Sequence, residues 1–95
     1  MSNTKSKKLN LRYVAATYPI TGIMDEEFRS EAATIRELLE ELDAKYGGFM
    51  EMFINQTTGG LNLNTMIYYG EKEKVPVAVL NIEEPVSDGA RITFW

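Results

Sequence analysis

The sequence contains no cysteine and no histidine. The first absence removes disulfides and thiolate nucleophiles, and the two together remove Cys/His zinc sites, the Ser-His-Asp triad and the usual general base near neutral pH. Most hydrolase chemistry goes with them, so a non-catalytic protein with no cofactor and no metal is expected. Long hydrophobic runs are missing too. The longest purely apolar stretch, Val75–Leu80, is six residues and includes Pro76. It is far short of a membrane span, and the opening MSNTKSKKLN has lysines without the apolar segment of a signal peptide. These features predict a cytoplasmic protein with no membrane partner. Positive charge is scarce: 10 bases face 14 acids, for a net charge of −4, and three of the bases (Lys5, Lys7, Lys8) lie in the first eight residues. The remaining body would repel a phosphate backbone, so no nucleic-acid partner is expected and a basic protein surface is the better match.

What is present fits one small domain. The chain has 95 residues, enough for a single core, and a domain of that size buries little enough surface that most of its 44% apolar content must be core. Residues 1–7 read as a flexible basic arm and residues 8–95 as one domain. Leu9, Leu11, Tyr13 and Ala15 alternate with Asn10, Arg12, Val14 and Ala16, which predicts a first strand over Leu9–Ala16. Tyr18-Pro19 and Thr21-Gly22 break that pattern, and a weaker alternation predicts a second strand over Glu27–Ala32.

Thr34-Ile35-Arg36-Glu37 has capping-box spacing, and Ile35, Leu38, Leu39, Leu42 and Tyr46 follow as an apolar stripe with helical period. Gly47-Gly48 closes that helix. A shorter helical stretch is predicted over Phe49–Asn55, then strands over Leu61–Tyr69, Val75–Leu80 and Ala90–Trp95; Pro76 places the middle one at a sheet edge. The predicted order is β-β-α-(short helix)-β-β-β, an α+β layer with one helix over one face of a mixed sheet.

Alternation also divides the sheet. If Leu11, Tyr13, Leu63, Ile67, Ile92 and Phe94 face the helix, then Arg12, Val14, Met66, Tyr68, Arg91 and Trp95 face the other way. Aromatic residues and arginine are favoured at interface cores, so these six are the candidate partner-binding residues, although singly exposed apolar side chains are ordinary on any surface. Other clusters have plainer readings. The leucine stripe is core, Glu40, Glu41 and Asp43 form a wet helix face with a Glu41–Lys45 pair, and Glu83-Glu84 sits in a turn with nothing to raise either pKa.

In its element order, the helix opening Thr34-Ile35-Arg36-Glu37-Leu38-Leu39-Glu40-Glu41-Leu42 and the ending Glu84-Pro85-Val86-Ser87-Asp88-Gly89-Ala90-Arg91-Ile92-Thr93-Phe94, the chain resembles the ubiquitin-like β-grasp fold. Within that fold it is similar to the MoaD/ThiS sulfur-carrier family, over about Leu9 to Trp95. The resemblance implies a mixed four- to five-stranded sheet with the first and last strands as parallel neighbours. It also implies a protein partner, either an activating enzyme or a larger synthase-type subunit, in molybdopterin or sulfur-transfer pathways. The family's terminal Gly-Gly, whose carboxylate is adenylated and converted to a thiocarboxylate, has no counterpart here, because Gly47-Gly48 and Gly59-Gly60 are internal. The expectation is therefore a carrier-like binding protein without thiocarboxylate chemistry in the sequence as it stands. The alternatives are a true carrier whose tail lies beyond Trp95, and a ubiquitin-like regulatory subunit of an unrelated enzyme.

Overall fold

A computed structural model describes residues 6–62, 64–71 and 73–95. Most of the expected arm, Leu63 and Lys72 lie outside the described residues. The elements run β1 (Lys7–Tyr13), α1 (Tyr18–Thr21), β2 (Asp25–Ser30), α2 (Ile35–Tyr46), α3 (Phe49–Phe53), β3 (Ile67–Gly70), β4 (Val77–Ala78) and β5 (Arg91–Phe94), with a 3-10 turn at Ala15–Thr17. The strands form one sheet in the order β2-β1-β5-β3-β4. β1 and β5 are parallel neighbours and the other pairs are antiparallel. This is the expected β-grasp arrangement.

α2 forms where the capping box placed it. Thr34 Oγ1 accepts from the Glu37 amide at 3.3 Å, while the Glu37 carboxylate accepts from Ala33 N at 2.8 Å, one residue earlier than the reciprocal box requires. Ile35, Leu38, Leu39 and Leu42 are fully buried against Leu9, Leu11, Ile67 and Ile92 of the sheet, as part of one core. At its far end the chain turns through Gly47 (φ 82°, ψ 153°) and Gly48 (φ 82°, ψ −10°), conformations that a Cβ would strain. Asp43 Oδ1 then accepts from Met50 N at 3.1 Å and ties α3 back to α2.

Several features differ from the sequence reading, each because of a specific contact. β1 stops at Tyr13 because Ala15 adopts φ 53° and the next residues form the 3-10 turn and α1, which together bring the buried Thr17 hydroxyl within 2.9 Å of Val14 O and 2.8 Å of Phe94 O. The predicted third strand is reduced to Ile67–Gly70, since Leu61 bridges Ile54 and Thr65 bonds back to Asn62 O. The predicted Glu41–Lys45 pair is not formed. Glu41 instead accepts from the Ser30 hydroxyl at 2.5 Å and from Glu31 N at 3.0 Å, clamping the end of β2 to α2, and Lys45 turns to Glu26. Lys7, assigned to the arm, begins β1, and its ammonium donates to Ala32 O at 2.7 Å.

The packing leads to two expectations for stability. Leu39→Ala removes a fully buried side chain from the centre of the α2 stripe and is expected to cost about 2–5 kcal/mol in urea unfolding. Gly70→Ala would set a Cβ 3.0 Å from Pro76 Cγ and 3.2 Å from its Cα. That substitution is expected to cost about 1–3 kcal/mol and to loosen β4 in amide exchange.

Candidate docking surface

The sheet face opposite α2 is built in rows that the register defines. One row crosses the strands as Asp25–Arg12–Thr93–Tyr68–Ala78, and the next begins Glu27–Asn10–Arg91–Gly70. The backbone pairing continues one residue past the strand ends. Val14 N donates to Phe94 O at 3.0 Å and Trp95 N to Met66 O at 2.9 Å, so Val14, Trp95 and Met66 line up at one end of the face. Extending the β3–β4 register by the same alternation puts Leu80 opposite Met66, and extending β1–β2 puts Ile23 opposite Val14. That end of the face is therefore an apolar row, with Met66 45%, Trp95 47% and Leu80 85% exposed. Tyr68 stands behind it, its ring edge-on to Trp95 at 6.5 Å between centroids and its hydroxyl 3.3 Å from Met66 Sδ.

Behind the aromatic corner lies a groove of about 550 Å³ whose floor and walls include Asn10, Arg12, Asp25, Pro76, Arg91 and Thr93. Arg12 Nε donates to Asp25 Oδ1 at 2.9 Å, and that hydrogen bond, with the carboxylate's charge, holds the guanidinium above its ordinary pKa. The six residues singled out from the sequence thus fall into two groups on one face. Val14, Met66, Tyr68 and Trp95 form the apolar corner, and Arg12 and Arg91 line the polar groove. Ile23 and Leu80, which complete the apolar row, escaped the sequence reading. Ile23 follows a turn signal, and the alternation of Val75–Leu80 left open which face Leu80 would take. Pro76 was assigned to an edge, but its role as groove wall depends on a register only the fold supplies.

One wall of the groove is anchored to the core by Glu26. Its Oε1 accepts from both Tyr13 Oη and Tyr46 Oη at 2.7 Å, its Oε2 meets the Lys45 ammonium, and its side chain is only 10% exposed. Burial pushes the carboxyl pKa up, but the hydrogen bonds from Lys45, Tyr13 and Tyr46 and the lysine's charge outweigh it and hold the group below its ordinary value. Burial, then the Glu26 hydrogen bond and charge, raise the pKa of both tyrosines. Lys45 is held above its ordinary value by its bond to Glu26, and its ammonium lies 5.1 Å from the Tyr46 ring centre and 5.3 Å from that of Phe28. No group of His, Cys, Asp and Glu side chains among the described residues could hold a metal ion. No helix among them is long and apolar enough to cross a membrane.

No family model matches the chain, and no curated protein sequence does. Among solved structures it is similar to the solution structure of the Haloferax volcanii HVO 2177 protein, with a TM-score of 0.77 and 19% sequence identity over 99% of this chain and 86% of that one. At that identity the likeness establishes the shared fold alone.

The Glu26 geometry has a signed consequence. A carboxyl held below its unfolded value stabilises the fold fully above that value, near 4.5, and the stabilisation is lost as pH falls through the lower folded value. The thermal midpoint is therefore expected to drop on acidification below about pH 4.5, and Glu26→Gln to flatten part of that drop. At neutral pH the same substitution is expected to cost about 1–3 kcal/mol, because it weakens charge-assisted bonds to two tyrosines and a lysine.

Proposed function

We propose that the protein is a non-catalytic β-grasp docking module that binds a partner protein over the sheet face opposite α2. The observation that carries this reading is the edge-to-face Tyr68–Trp95 pair standing in a part-exposed apolar row beside an arginine-lined groove. Rigid aromatic side chains contribute large contact area at small entropic cost, and an apolar centre with polar groups at its side is the usual anatomy of a protein interface. A net charge of −4 favours a partner with a basic surface, acting mainly on the rate of encounter.

The motif resemblance to the MoaD/ThiS family supports a place in molybdopterin or sulfur-transfer biosynthesis in the cytoplasm. In that setting the partner is an activating enzyme or the larger subunit of a synthase, and the protein serves as the carrier-like subunit rather than the catalyst.

Titration calorimetry with a purified activating enzyme and a purified synthase large subunit tests the proposal. Binding to at least one is expected, weakened by at least about tenfold, or 1.4 kcal/mol, in the Tyr68→Ala/Trp95→Ala double variant while its thermal midpoint stays within a few degrees of the parent. No binding to either protein would remove the sulfur-transfer setting. Binding left intact in the double variant would remove the docking face.

A further inference from the structure

With no cysteine, the sulfur chemistry of this chain is confined to its five methionines. Of the described ones, Met50 and Met52 are partly buried against the core, while Met24 and Met66 are 53% and 45% exposed. The two exposed thioethers lie on opposite faces of the sheet. Extending the β1–β2 register by one residue sets Met24 beside Tyr13, on the helix side, whereas Met66 sits in the apolar row of the far face, between Trp95 and Leu80. Their surroundings differ as well. Met66 Sδ accepts from the Tyr68 hydroxyl at 3.3 Å, and Trp95, the single tryptophan, donates its amide to the Met66 carbonyl at 2.9 Å. Among the described residues no hydrogen bond reaches the Met24 sulfur.

We propose that Met66 is a reversible oxidation site for hydroperoxides, that Tyr68 directs which sulfoxide forms, and that the change makes the apolar row polar. A thioether sulfur carries two lone pairs, and oxygen transfer to one or the other gives epimeric sulfoxides. At Met66 the Tyr68 hydroxyl occupies one lone pair, so the peroxide reaches the other. The sulfur gives that pair to one peroxide oxygen, the O–O bond breaks, and an S–O bond forms. With hydrogen peroxide, the proton of the transferred oxygen passes to the departing one, which leaves as water. The sulfur is oxidised by two electrons and the peroxide is reduced by two. A methionine sulfoxide reductase with its thiol reductant reverses the step, one reductase class for each epimer.

The new oxygen is placed on the side of the sulfur away from the Tyr68 hydroxyl. There it is a strong hydrogen-bond acceptor within the apolar row, and seating a partner's apolar surface over it would strip its water without replacing the bond. Docking is thereby switched off without unfolding, because Met66 is not part of the core. The loss of binding rests on the docking reading above; the site, its stereochemistry and the change of polarity do not.

Treating the folded full chain with hydrogen peroxide tests the proposal, with peptide mass spectra locating each added oxygen and thermal midpoints confirming that every variant folds. Met66 is expected to oxidise before Met50 and Met52, with one sulfoxide epimer in at least about twofold excess, the bias of one ordinary hydrogen bond. Tyr68→Phe keeps the ring and should bring the epimers to near parity, as at Met24. Oxidation should also shift the emission of Trp95 to the red, a response lost in Met66→Leu and kept in Met24→Leu. In calorimetry, oxidation of the Met24→Leu chain should weaken partner binding by at least about tenfold. Equal epimers at Met66 in the parent, or an oxidised Met66 with unchanged emission, would overturn the proposal. So would a partner that binds the oxidised and unoxidised chains equally. If the chemical signatures appear and neither candidate partner binds the unoxidised chain, the docking reading falls and the oxidation site stands.

Discussion

Tyr13 and Phe94 stack with ring centres 5.8 Å apart across the parallel pair β1–β5, and both rings meet Phe49 edge-on at 5.9 Å and 5.8 Å. This contact joins segments about eighty residues apart, and the rest of the structure is arranged around it. Phe53 packs on the same cluster, so α3 closes one end of the core. Tyr46 touches Tyr13, so the last turn of α2 is fixed against β1. Ring burial supplies the stabilisation, and the edge-to-face geometry fixes the direction in which each element approaches.

The same cluster explains why a carboxylate can sit where Glu26 does. The Tyr13 and Tyr46 hydroxyls must find acceptors as their rings enter the core. One glutamate oxygen serves both, and Lys45 neutralises it. Among the described residues no buried side-chain polar atom lacks a hydrogen-bond partner. The arrangement also sets the geometry of the opposite face. With the helix side of β1 and β5 committed to the aromatic core, Arg12, Arg91 and Trp95 are left on the far side, where the groove and the apolar corner form.

Much of this was legible from residue pattern. α2 and its cap, the glycine turn, the five strands in order and the edge position of β4 follow from helical period, alternation and the chemistry of Thr34, Gly47 and Pro76. The shortened third strand comes from the nearby Ile54–Leu61 bridge and the Thr65–Asn62 bonds, whereas the other misplaced features depend on contacts between segments distant in sequence. Ala15 looks like a strand residue until Thr17 must reach Phe94 O, and Lys45 looks like a partner for Glu41 until Glu26 arrives from β2. The faces of the sheet were legible because alternation has a period of two. The apolar row was only half legible, because its ends at Ile23 and Leu80 lie past the last ladder bonds, where register comes from tertiary structure. The Asp25 and Pro76 contributions to the groove needed the strand order itself.

The placement of β5 between β1 and β3 also matters during synthesis. Of the five strands it is the last to leave the ribosome, yet it is the one that joins the other four. Until Arg91–Phe94 emerges, the β1–β2 and β3–β4 hairpins have no shared ladder, and Tyr13, Phe49 and Phe53 lack the ring against which they close. The nascent domain thus carries an incomplete aromatic core for nearly its whole translation, a period in which exposed apolar surface and unpaired strands invite association. Closure of the long β1–β5 loop must then precede the gain from its contacts, which places the slow step of folding after the domain has been made.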